Sequence, residues 1–202
     1  MKLGPKYKIA RRLGAPIFEK TQTAKFKASL GEKKPGGRRG GPKSEYAKQL
    51  LEKQKVRFSY GISEKQFSRY VNEVIESRTN QPTLKLFERL ETRLDNVAWR
   101  LGLVPTRRFA RQVVSHGHIT VNGRKVTVPS FMVKPGDQIG IRAGSATNKI
   151  FDTIDEKQKG TDLPTWMTWN AEKKSGSLLR LPTLEGQELL FDLGAVLEFY
   201  KR

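Results

Sequence analysis

Three arginines are crowded into one short basic segment of the chain. Arg107, Arg108 and Arg111 lie within a single helical turn of PTRRFARQVVSHGHITVNG, residues 105–123, which then runs into a tight turn. A guanidinium group carries five N–H donors in a planar fork, keeps its charge at neutral pH and pairs bidentately with phosphate oxygens. Three such groups on one side of a short helix are suited to binding a chain of phosphates.

A second group of arginines precedes this segment. Arg89, Arg93 and Arg100 fall within about 40° of one another when residues 84–101 are placed on a helical wheel. On the same wheel we expect the neighbouring acids to lie on another side of the helix; these acids are Glu88, Glu91 and Asp95. The pattern predicts an outer basic surface that acids do not reach, made of Arg93, Arg100, Arg107, Arg108, Arg111 and Lys125.

The whole chain shares this basic character. Its 202 residues include 39 Lys+Arg and 20 Asp+Glu, which gives a formal net charge of +19. Residues 1–60 carry 17 basic and 4 acidic side chains, whereas residues 145–202 carry 8 and 9. Such a surplus indicates a polyanionic partner, either a nucleic acid or an anionic membrane surface. No stretch approaches the roughly 20 apolar residues of a membrane span, and the N-terminus does not look like a signal peptide, so we expect a nucleic acid.

Other kinds of site find little support in the sequence. The chain has no cysteine, which excludes disulfides, zinc–thiolate sites and cysteine nucleophiles. GGRRGGPKS, residues 36–44, is similar to a phosphate-binding P-loop, but Pro42 separates the second glycine from the lysine and no strand precedes the loop. His116 and His118 have no further metal ligand near them in the sequence. We interpret them as turn residues, with His116 a candidate RNA contact.

The strongest indication of an enzyme is RLD at residues 93–95, which is similar to the catalytic aspartate motif of certain pseudouridine synthases. We instead predict that Asp95 is a surface partner of Arg100 or a helix charge. The chain after this motif is shorter than the catalytic domain of those enzymes, so we expect no enzymatic activity.

Helix signals surround the basic segments. Ser44 is predicted to cap a helix that ends near Tyr60, and Ser63 with Gln66 forms a capping box for a second helix. A continuous third helix is predicted over about residues 84–101. Its apolar stripe is Phe87, Leu90, Leu94, Val97, Ala98 and Leu101. Thr106 caps a short fourth helix, whose apolar face is Phe109, Ala110, Val113 and Val114.

Strand signals follow the fourth helix. ITVNGRKVTV, residues 119–128, predicts a hairpin with an Asn122-Gly123 turn. We assign its core face to Ile119, Val121, Val126 and Val128. Further strands are predicted in VKPGDQIGI, residues 133–141, and LPTWMTWN, residues 163–170. Residues 146–158 are predicted to form a helix, and LGAVLEFYKR, residues 193–202, a terminal element packed on the rest.

These segments together resemble one known family. RLDNVAWRLGLVPTRRFARQVVSHGHITVNGRKVTVPSFMVKPGDQI, residues 93–139, closely resembles the alpha-L RNA-binding module, which occurs in several families. The flanking sequences are similar to the small-subunit (30S-type) ribosomal protein uS-four family; they are LGPKYKIARRLG at 3–14, SEYAKQLLEKQKVRFSYGISEKQF at 44–67, PTW at 164–166 and VLEFYKR at 196–202. Many members hold zinc on N-terminal cysteines, so this chain is identified as a zinc-free variant.

The resemblance implies an α+β fold. A helical domain is joined by an inserted alpha-L module, two short helices packed on a small antiparallel sheet, with an extended basic N-terminal segment. The expected domains are the extension, 1–43; the helical domain, 44–90, completed by the tail 191–202; the module, 91–145; and a helix, strand and loop extension, 146–190. Residues 1–43 hold prolines and glycine clusters without a sustained apolar period, so we expect them to be disordered when free and ordered on a partner. Because cysteines are lacking, the N-terminal region is expected to be organised by RNA contacts alone. Residues 170–190 depart from the family pattern.

The resemblance also implies a function. Family members are structural constituents of the small ribosomal subunit that bind its rRNA by shape and phosphate contacts, at a multi-helix junction in the 5′ domain, early in assembly. They lie near the mRNA entry channel beside ribosomal proteins uS-five and uS-three and affect decoding accuracy. For this chain we therefore expect small-subunit (16S-type) rRNA as partner, with mRNA at the entry channel a further one. We expect no cofactor, metal or membrane, and a monomer outside the ribosome, in the cytoplasm or in an organelle.

The predicted RNA-binding residues come from both the charge pattern and the resemblance. They are Lys2, Lys6, Lys8, Arg11, Arg12, Arg38, Arg39, Lys43, Lys48, Lys53, Lys55, Arg57, Arg69, Arg93, Arg100, Thr106, Arg107, Arg108, Arg111, Gln112, His116 and Lys125. Two other functions remain as alternatives: an RNA-modifying enzyme anchored by the module, and a free-standing regulator of mRNA or of stalled ribosomes.

Overall fold

The computed structural model describes residues 3–31, 44–151, 163–185 and 189–201. Within these ranges the chain forms eight α-helices: α1 Lys6–Leu13, α2 Ala24–Gly31, α3 Glu45–Tyr60, α4 Glu64–Glu76, α5 Pro82–Glu91, α6 Leu94–Arg100, α7 Arg107–Ser115 and α8 Leu193–Tyr200. It also forms five strands: β1 Ile119–Val121, β2 Arg124–Lys125, β3 Gln138–Ile141, β4 Met167–Asn170 and β5 Ser175–Leu178. Helices and an antiparallel sheet together confirm the predicted α+β class.

The chain divides into two compact units. The first comprises residues 1–86 and 186–202, and the second comprises residues 87–185. Helix α5 begins in the first unit and ends in the second. None of the helices within the described residues is long and apolar enough to cross a membrane.

The N-terminal part of the first unit has a small core of its own. Helices α1 and α2 and the turn between them bring together six buried residues: Ala10, Leu13, Ala15, Ile17, Phe18 and Phe26. Leu51 and Phe58 of α3 pack against this cluster. The prediction of an extended segment organised by RNA alone is therefore wrong for residues 3–31. Residues 32–43 lie outside the described residues.

Helices α3 and α4 begin at the residues that the capping signals predicted. The Ser44 side chain accepts a hydrogen bond from the Ala47 N–H, and the Ser63 side chain accepts one from the Gln66 N–H. Gly61, with a φ of 63°, ends α3 in the left-handed conformation that favours glycine. Prediction of both helices is confirmed.

The C-terminal helix α8 packs on α3, as predicted for a terminal element. Asp192 caps α8 by accepting hydrogen bonds from the Gly194 and Ala195 N–H groups. The ring of Phe199 lies 5.4 Å from the ring of Tyr46, measured between centroids. Side-chain packing thus holds α8 on α3, and the cap stabilises the first turn of α8.

In the second unit, the predicted continuous helix over 84–101 is wrong, because the chain breaks between α5 and α6. Arg93 has extended backbone angles and forms an isolated bridge with Met132. The Leu94 N–H donates to the Phe131 carbonyl at 2.8 Å, and the Asp95 N–H donates to the Pro129 carbonyl at 3.1 Å. These two N–H groups thus donate to carbonyls more than 30 residues further along the chain, instead of to carbonyls of the preceding helical turn. The apolar stripe is nevertheless buried at all six predicted positions.

The short helix and hairpin that follow form as predicted. Thr106 caps α7 by accepting from the Phe109 N–H at 3.1 Å. Asn122 and Gly123 have φ values of 51° and 76°, and they connect β1 to β2. The prediction that Val128 lies on the core face is wrong, since this residue is 53% exposed. The chain leaves the hairpin after Lys125 and turns between Val128 and Phe131.

The five strands form one antiparallel sheet in the order β2-β1-β3-β5-β4. Strands β3 and β4 were predicted, whereas β5 was not. Gly176 of β5 lies so close to Leu101, the residue after α6, that a side chain at position 176 would overlap the Leu101 methyl groups. Trp166 is fully buried, with its ring 6.1 Å from that of Phe87. Of the helix predicted over 146–158, a short 3₁₀ turn is seen at Lys149–Phe151, and residues 152–158 lie outside the described residues.

Candidate nucleic-acid interface

Glu91 is the first of two buried carboxylates that organise the arginines of the second unit. It is the last residue of α5 and is 0% exposed. Its two oxygens accept from Arg100, with Nε at 2.9 Å and Nη2 at 3.1 Å. Asn96, also buried, donates from Nδ2 to Glu91 at 2.9 Å and accepts from Arg107 Nε at 2.7 Å. Glu91 therefore holds Arg100 directly and Arg107 mainly through Asn96.

Asp95, in the first turn of α6, is the second buried carboxylate and is 3% exposed. It accepts a fork of two hydrogen bonds from Arg93, with Nε at 3.0 Å and Nη2 at 2.7 Å. Arg111 of α7 donates to the same carboxylate from Nε at 3.0 Å and from Nη2 at 2.7 Å. Asp95 thus fixes one arginine of its own segment and one of the next helix.

We call these seven side chains the arginine cluster: Glu91, Arg93, Asp95, Asn96, Arg100, Arg107 and Arg111. It contains four guanidinium groups and two carboxylates, so two positive charges are in excess within it. The side chains of Arg100, Arg107 and Arg111 are 20%, 18% and 30% exposed. A half-buried cationic cluster of this kind attracts anions to the surface that its outer edge forms.

Three predictions about this region are wrong. Glu91 and Asp95 do not lie on another side from the arginines but bind them directly. Asp95 is not a surface partner of Arg100. Arg93 does not belong to the outer surface, because its side chain is 2% exposed and is paired with Asp95. All three errors follow from the break at Arg93, since a wheel drawn through residues 84–101 assumes one unbroken helix.

An indole ring completes the cluster on one side. The guanidinium carbon of Arg107 lies 3.7 Å from the ring centroid of Trp99, and that of Arg100 lies 5.2 Å from it. A guanidinium stacked on an aromatic face is held in plane as well as attracted electrostatically. Trp99 therefore fixes the plane of Arg107 from a direction that the carboxylates do not cover.

The remaining predicted residues of the second unit lie around the cluster. Arg108, Gln112, His116 and Lys125 are all exposed, and Thr106 is used as the cap of α7. A side chain at Gly117, whose φ is 74°, would overlap the Lys125 side chain, so the glycine lets the hairpin lie close to the end of α7. Of the cations predicted to bind RNA in this unit, Arg108 and Lys125 are the two that are exposed.

The two histidines do not form a metal site in the described part of the chain. Their ring centroids are 6.1 Å apart, and His118 Nδ1 lies 2.9 Å from the Ser145 hydroxyl oxygen. Among the described residues there is no group of three or more His, Asp or Glu able to hold a metal ion. Together with the lack of cysteine in the sequence, this donor set does not fit a structural zinc site.

In the first unit, α1 carries several of the predicted basic residues. Lys8, Arg11 and Arg12 are exposed along this helix, while Lys6 lies 5.7 Å from the ring centroid of Phe18. The small core beneath α1 positions these cations. Four predicted residues lie outside the described residues, namely Lys2, Arg38, Arg39 and Lys43.

Lys53 and Arg57 of α3, both predicted to bind RNA, take part in an internal network. Glu64 accepts from Lys53 at 2.6 Å, from Arg57 at 2.7 Å and from the Tyr200 hydroxyl at 2.8 Å. Burial raises the pKa of Glu64, but the three hydrogen bonds outweigh it and hold that pKa below its ordinary value of 4.5. Burial and the hydrogen bond to Glu64 raise the pKa of Tyr200. The network ties α8 to α3 and α4.

Three other predicted cations are paired with nearby acids. Lys48 pairs with Glu45 at 3.1 Å, Lys55 with Glu52 at 2.6 Å, and Arg69 with Glu73 at 3.5 Å. The first and last of these pairs are largely exposed, and exposed pairs contribute little to stability. Such cations remain available to exchange a carboxylate for a phosphate.

Sequence reasoning missed the residues that organise the site: Glu91, Asn96 and Trp99. Glu91 and Asn96 belong to the run ETRLDN, residues 91–96, in which every residue is buried although most are polar; Trp99 lies beyond this run. Buried charges in proteins are paired. Ion pairs in this run could have been predicted only with knowledge that its residues are buried. Periodicity alone could not reveal it, because the run spans the helix break.

Comparison with known proteins gives matches along most of the chain. A family model described as "S4 domain" matches residues 92–139, and one described as "Ribosomal protein S4/S9 N-terminal domain" matches residues 2–91. The "Small ribosomal subunit protein uS4" of Halothermothrix orenii is 41% identical over 206 residues, which cover 98% of each chain. The protein of the same name from Thermus thermophilus is 39% identical and covers 99% of this chain and 98% of its own. That of Christiangramia forsetii is 40% identical over 89% of this chain and 88% of its own.

Proposed function

The chain belongs to the uS4 family of small-subunit ribosomal proteins, and from this membership we propose that it is a structural constituent of the small ribosomal subunit that binds small-subunit rRNA. The family is structural and not enzymatic. Its bacterial members are components of the small subunit in the cytoplasm, and we propose the same location for this chain.

The arginine cluster is the observation from which we assign RNA binding to particular residues. Its partly exposed guanidinium groups are grouped at one site between α6 and α7, with Arg108 and Lys125 exposed beside them. The second unit has no long recognition helix among its described residues, and A-form RNA has a major groove too deep and narrow to admit one. We therefore propose that the protein recognises the shape of a folded RNA through its phosphates, with little base specificity.

Binding to a transcript of the small-subunit rRNA 5′ domain tests this proposal. Each phosphate contact releases condensed counterions, so affinity should fall steeply with salt, with a log–log slope of about −0.7 to −0.9 per contact. Replacing Arg108 with Ala should reduce the slope by about one and the affinity by about tenfold. Arg108 is preferred to Arg107 or Arg111, because truncating either of those two would also disturb the hydrogen bonds of the buried cluster.

Lys173→Ala is the matched control for this variant. Lys173 is an exposed cation of the same unit, in the turn between β4 and β5, and it was not predicted to bind RNA. Its removal lowers the net charge equally and should change affinity much less than Arg108→Ala. Equal losses in the two variants, or an affinity independent of salt, would count against the proposed surface.

Within the ribosome we propose a finer role. The chain binds a multi-helix junction of the 5′ domain early in assembly, lies near the mRNA entry channel beside uS5 and uS3, and influences decoding accuracy. The basic residues of α1 and of the arginine cluster support binding to several RNA helices. Pulse-labelled assembly intermediates should contain the chain in the earliest particles, and its arrival only in mature subunits would contradict the early role.

A stoichiometric measurement separates this role from that of a free-standing regulator. Sedimentation of a cell extract should place one copy of the chain in each small subunit. Far less than one copy per small subunit, with the chain found free or bound only to a minor fraction of stalled ribosomes, would favour the regulator.

A further inference from the structure

We propose that Glu91 and Asp95 are positioning residues for RNA binding, which hold three guanidinium groups in a fixed phosphate-binding geometry before the RNA arrives. This inference rests on the proposed function, because it concerns the same surface. Two negatively charged side chains would thus assist the binding of a polyanion without contacting that polyanion themselves.

The position of the two acids needs an explanation. A carboxylate near a phosphate-binding surface repels the phosphates, and burying it removes its hydration. Glu91 and Asp95 are 0% and 3% exposed, and each accepts hydrogen bonds from guanidinium groups whose side chains reach the surface. Their charges are therefore turned inward, while the cations they hold form the outer edge of the cluster.

The hydrogen bonds to the carboxylates and to Asn96 also orient the guanidinium groups. Arg100 and Arg111 each bind a carboxylate through Nε and Nη2, which fixes both the plane and the direction of the guanidinium group. Arg107 is fixed differently, by Asn96 at its Nε and by the Trp99 ring beneath its plane. Bidentate pairing with phosphate depends on this plane. A long side chain that is ordered beforehand loses less conformational freedom when the ligand binds.

Removing the charge of Glu91 distinguishes positioning from simple electrostatics, because the two predict changes of opposite sign. Glu91→Gln raises the net charge by one, so electrostatics alone predicts equal or tighter binding to the 5′-domain transcript and a salt slope that is unchanged or steeper. Positioning predicts that binding becomes at least about tenfold weaker, with a shallower slope, because Arg100 and Arg107 lose their fixed direction.

Two control variants make the comparison specific. Glu172→Gln neutralises an exposed acid in the turn between β4 and β5, and it should leave RNA affinity equal or slightly higher. Ile139→Ala truncates a fully buried residue of β3 that is not a member of the arginine cluster, and it should lower stability. If RNA affinity fell equally in Ile139→Ala and Glu91→Gln at similar melting temperatures, the role of Glu91 would be structural and the inference would be overturned.

A measurement on the unaltered protein covers the case in which Glu91→Gln fails to fold. In the absence of RNA, the Nε–H protons of Arg100, Arg107 and Arg111 should give sharp, slowly exchanging NMR signals, unlike that of the exposed Arg108. Exchange as fast as that of Arg108 would refute preorganisation. Failure of the wild-type protein to bind the transcript would instead refute the proposed function, whereas wild-type binding with undiminished binding by a folded Glu91→Gln variant would refute only the inference.

Discussion

Replacing Glu64 with Gln should loosen the attachment of the C-terminal helix. The carboxylate accepts from Lys53, Arg57 and Tyr200 at 2.6 to 2.8 Å, and the substitution keeps its shape while removing its charge. The Glu64 side chain is 44% exposed whereas those of Lys53 and Arg57 are 11% and 19% exposed, so solvent screens part of each interaction. We therefore expect a loss of about 1–2 kcal/mol in the free energy of unfolding, well below the sum of three charge-assisted hydrogen bonds. For a chain of this size the melting temperature should fall by roughly 3–6 °C.

The pH dependence of this difference tests its cause. Because the folded protein holds the pKa of Glu64 below its ordinary value of 4.5, the stabilisation is fully present above that value and is lost as pH falls through the folded pKa. Melting curves of wild type and Glu64→Gln should therefore differ at pH 7 and converge as the pH falls through the folded pKa of Glu64, which lies below 4.5. Glu76→Gln, at an exposed site at the end of α4, should match wild type throughout. A difference that persists unchanged into acid, or none at pH 7, would refute the reasoning.

Three further substitutions test the packing of the second unit and of the N-terminal core. Gly176→Ala should destabilise the second unit by about 1–3 kcal/mol, because the added methyl overlaps Leu101, and an unchanged melting temperature would contradict that close approach. Phe26→Ala should cost about 3 kcal/mol and speed amide hydrogen exchange throughout α1 and α2; unchanged exchange there would show that the N-terminal core does not hold these helices. Gly117→Ala should cost about 1–2 kcal/mol in a denaturant titration through its positive φ and the displaced Lys125, and a neutral effect would argue against that backbone conformation.

Local signals in the sequence were sufficient wherever the structure depends on neighbouring residues. Ser44, Ser63 and Thr106 each accept the backbone hydrogen bond that their capping positions predict, and the Asn122-Gly123 turn forms the expected hairpin. These features depend on contacts over two to four residues, which the order of residue types specifies directly.

The predictions failed where distant segments decide the structure. The break at Arg93 depends on backbone hydrogen bonds from residues 129–133, and it brings Asp95 within reach of Arg111. At the N-terminus, Leu51 and Phe58 of α3 complete a core that could not be predicted from the spacing of apolar residues within 3–31. A helical wheel contains neither kind of information, and so the buried acidic and amide partners of the basic side chains were not predicted.

A cryo-electron microscopy structure of the small ribosomal subunit that carries this chain would show whether the outer edge of the arginine cluster binds RNA. We predict phosphate oxygens within about 3 Å of guanidinium nitrogens at the outer edge of the arginine cluster, with Glu91 and Asp95 still bound to the same arginines behind that edge. A particle in which this edge faces solvent, or in which the arginines leave the two carboxylates to reach the RNA, would contradict it.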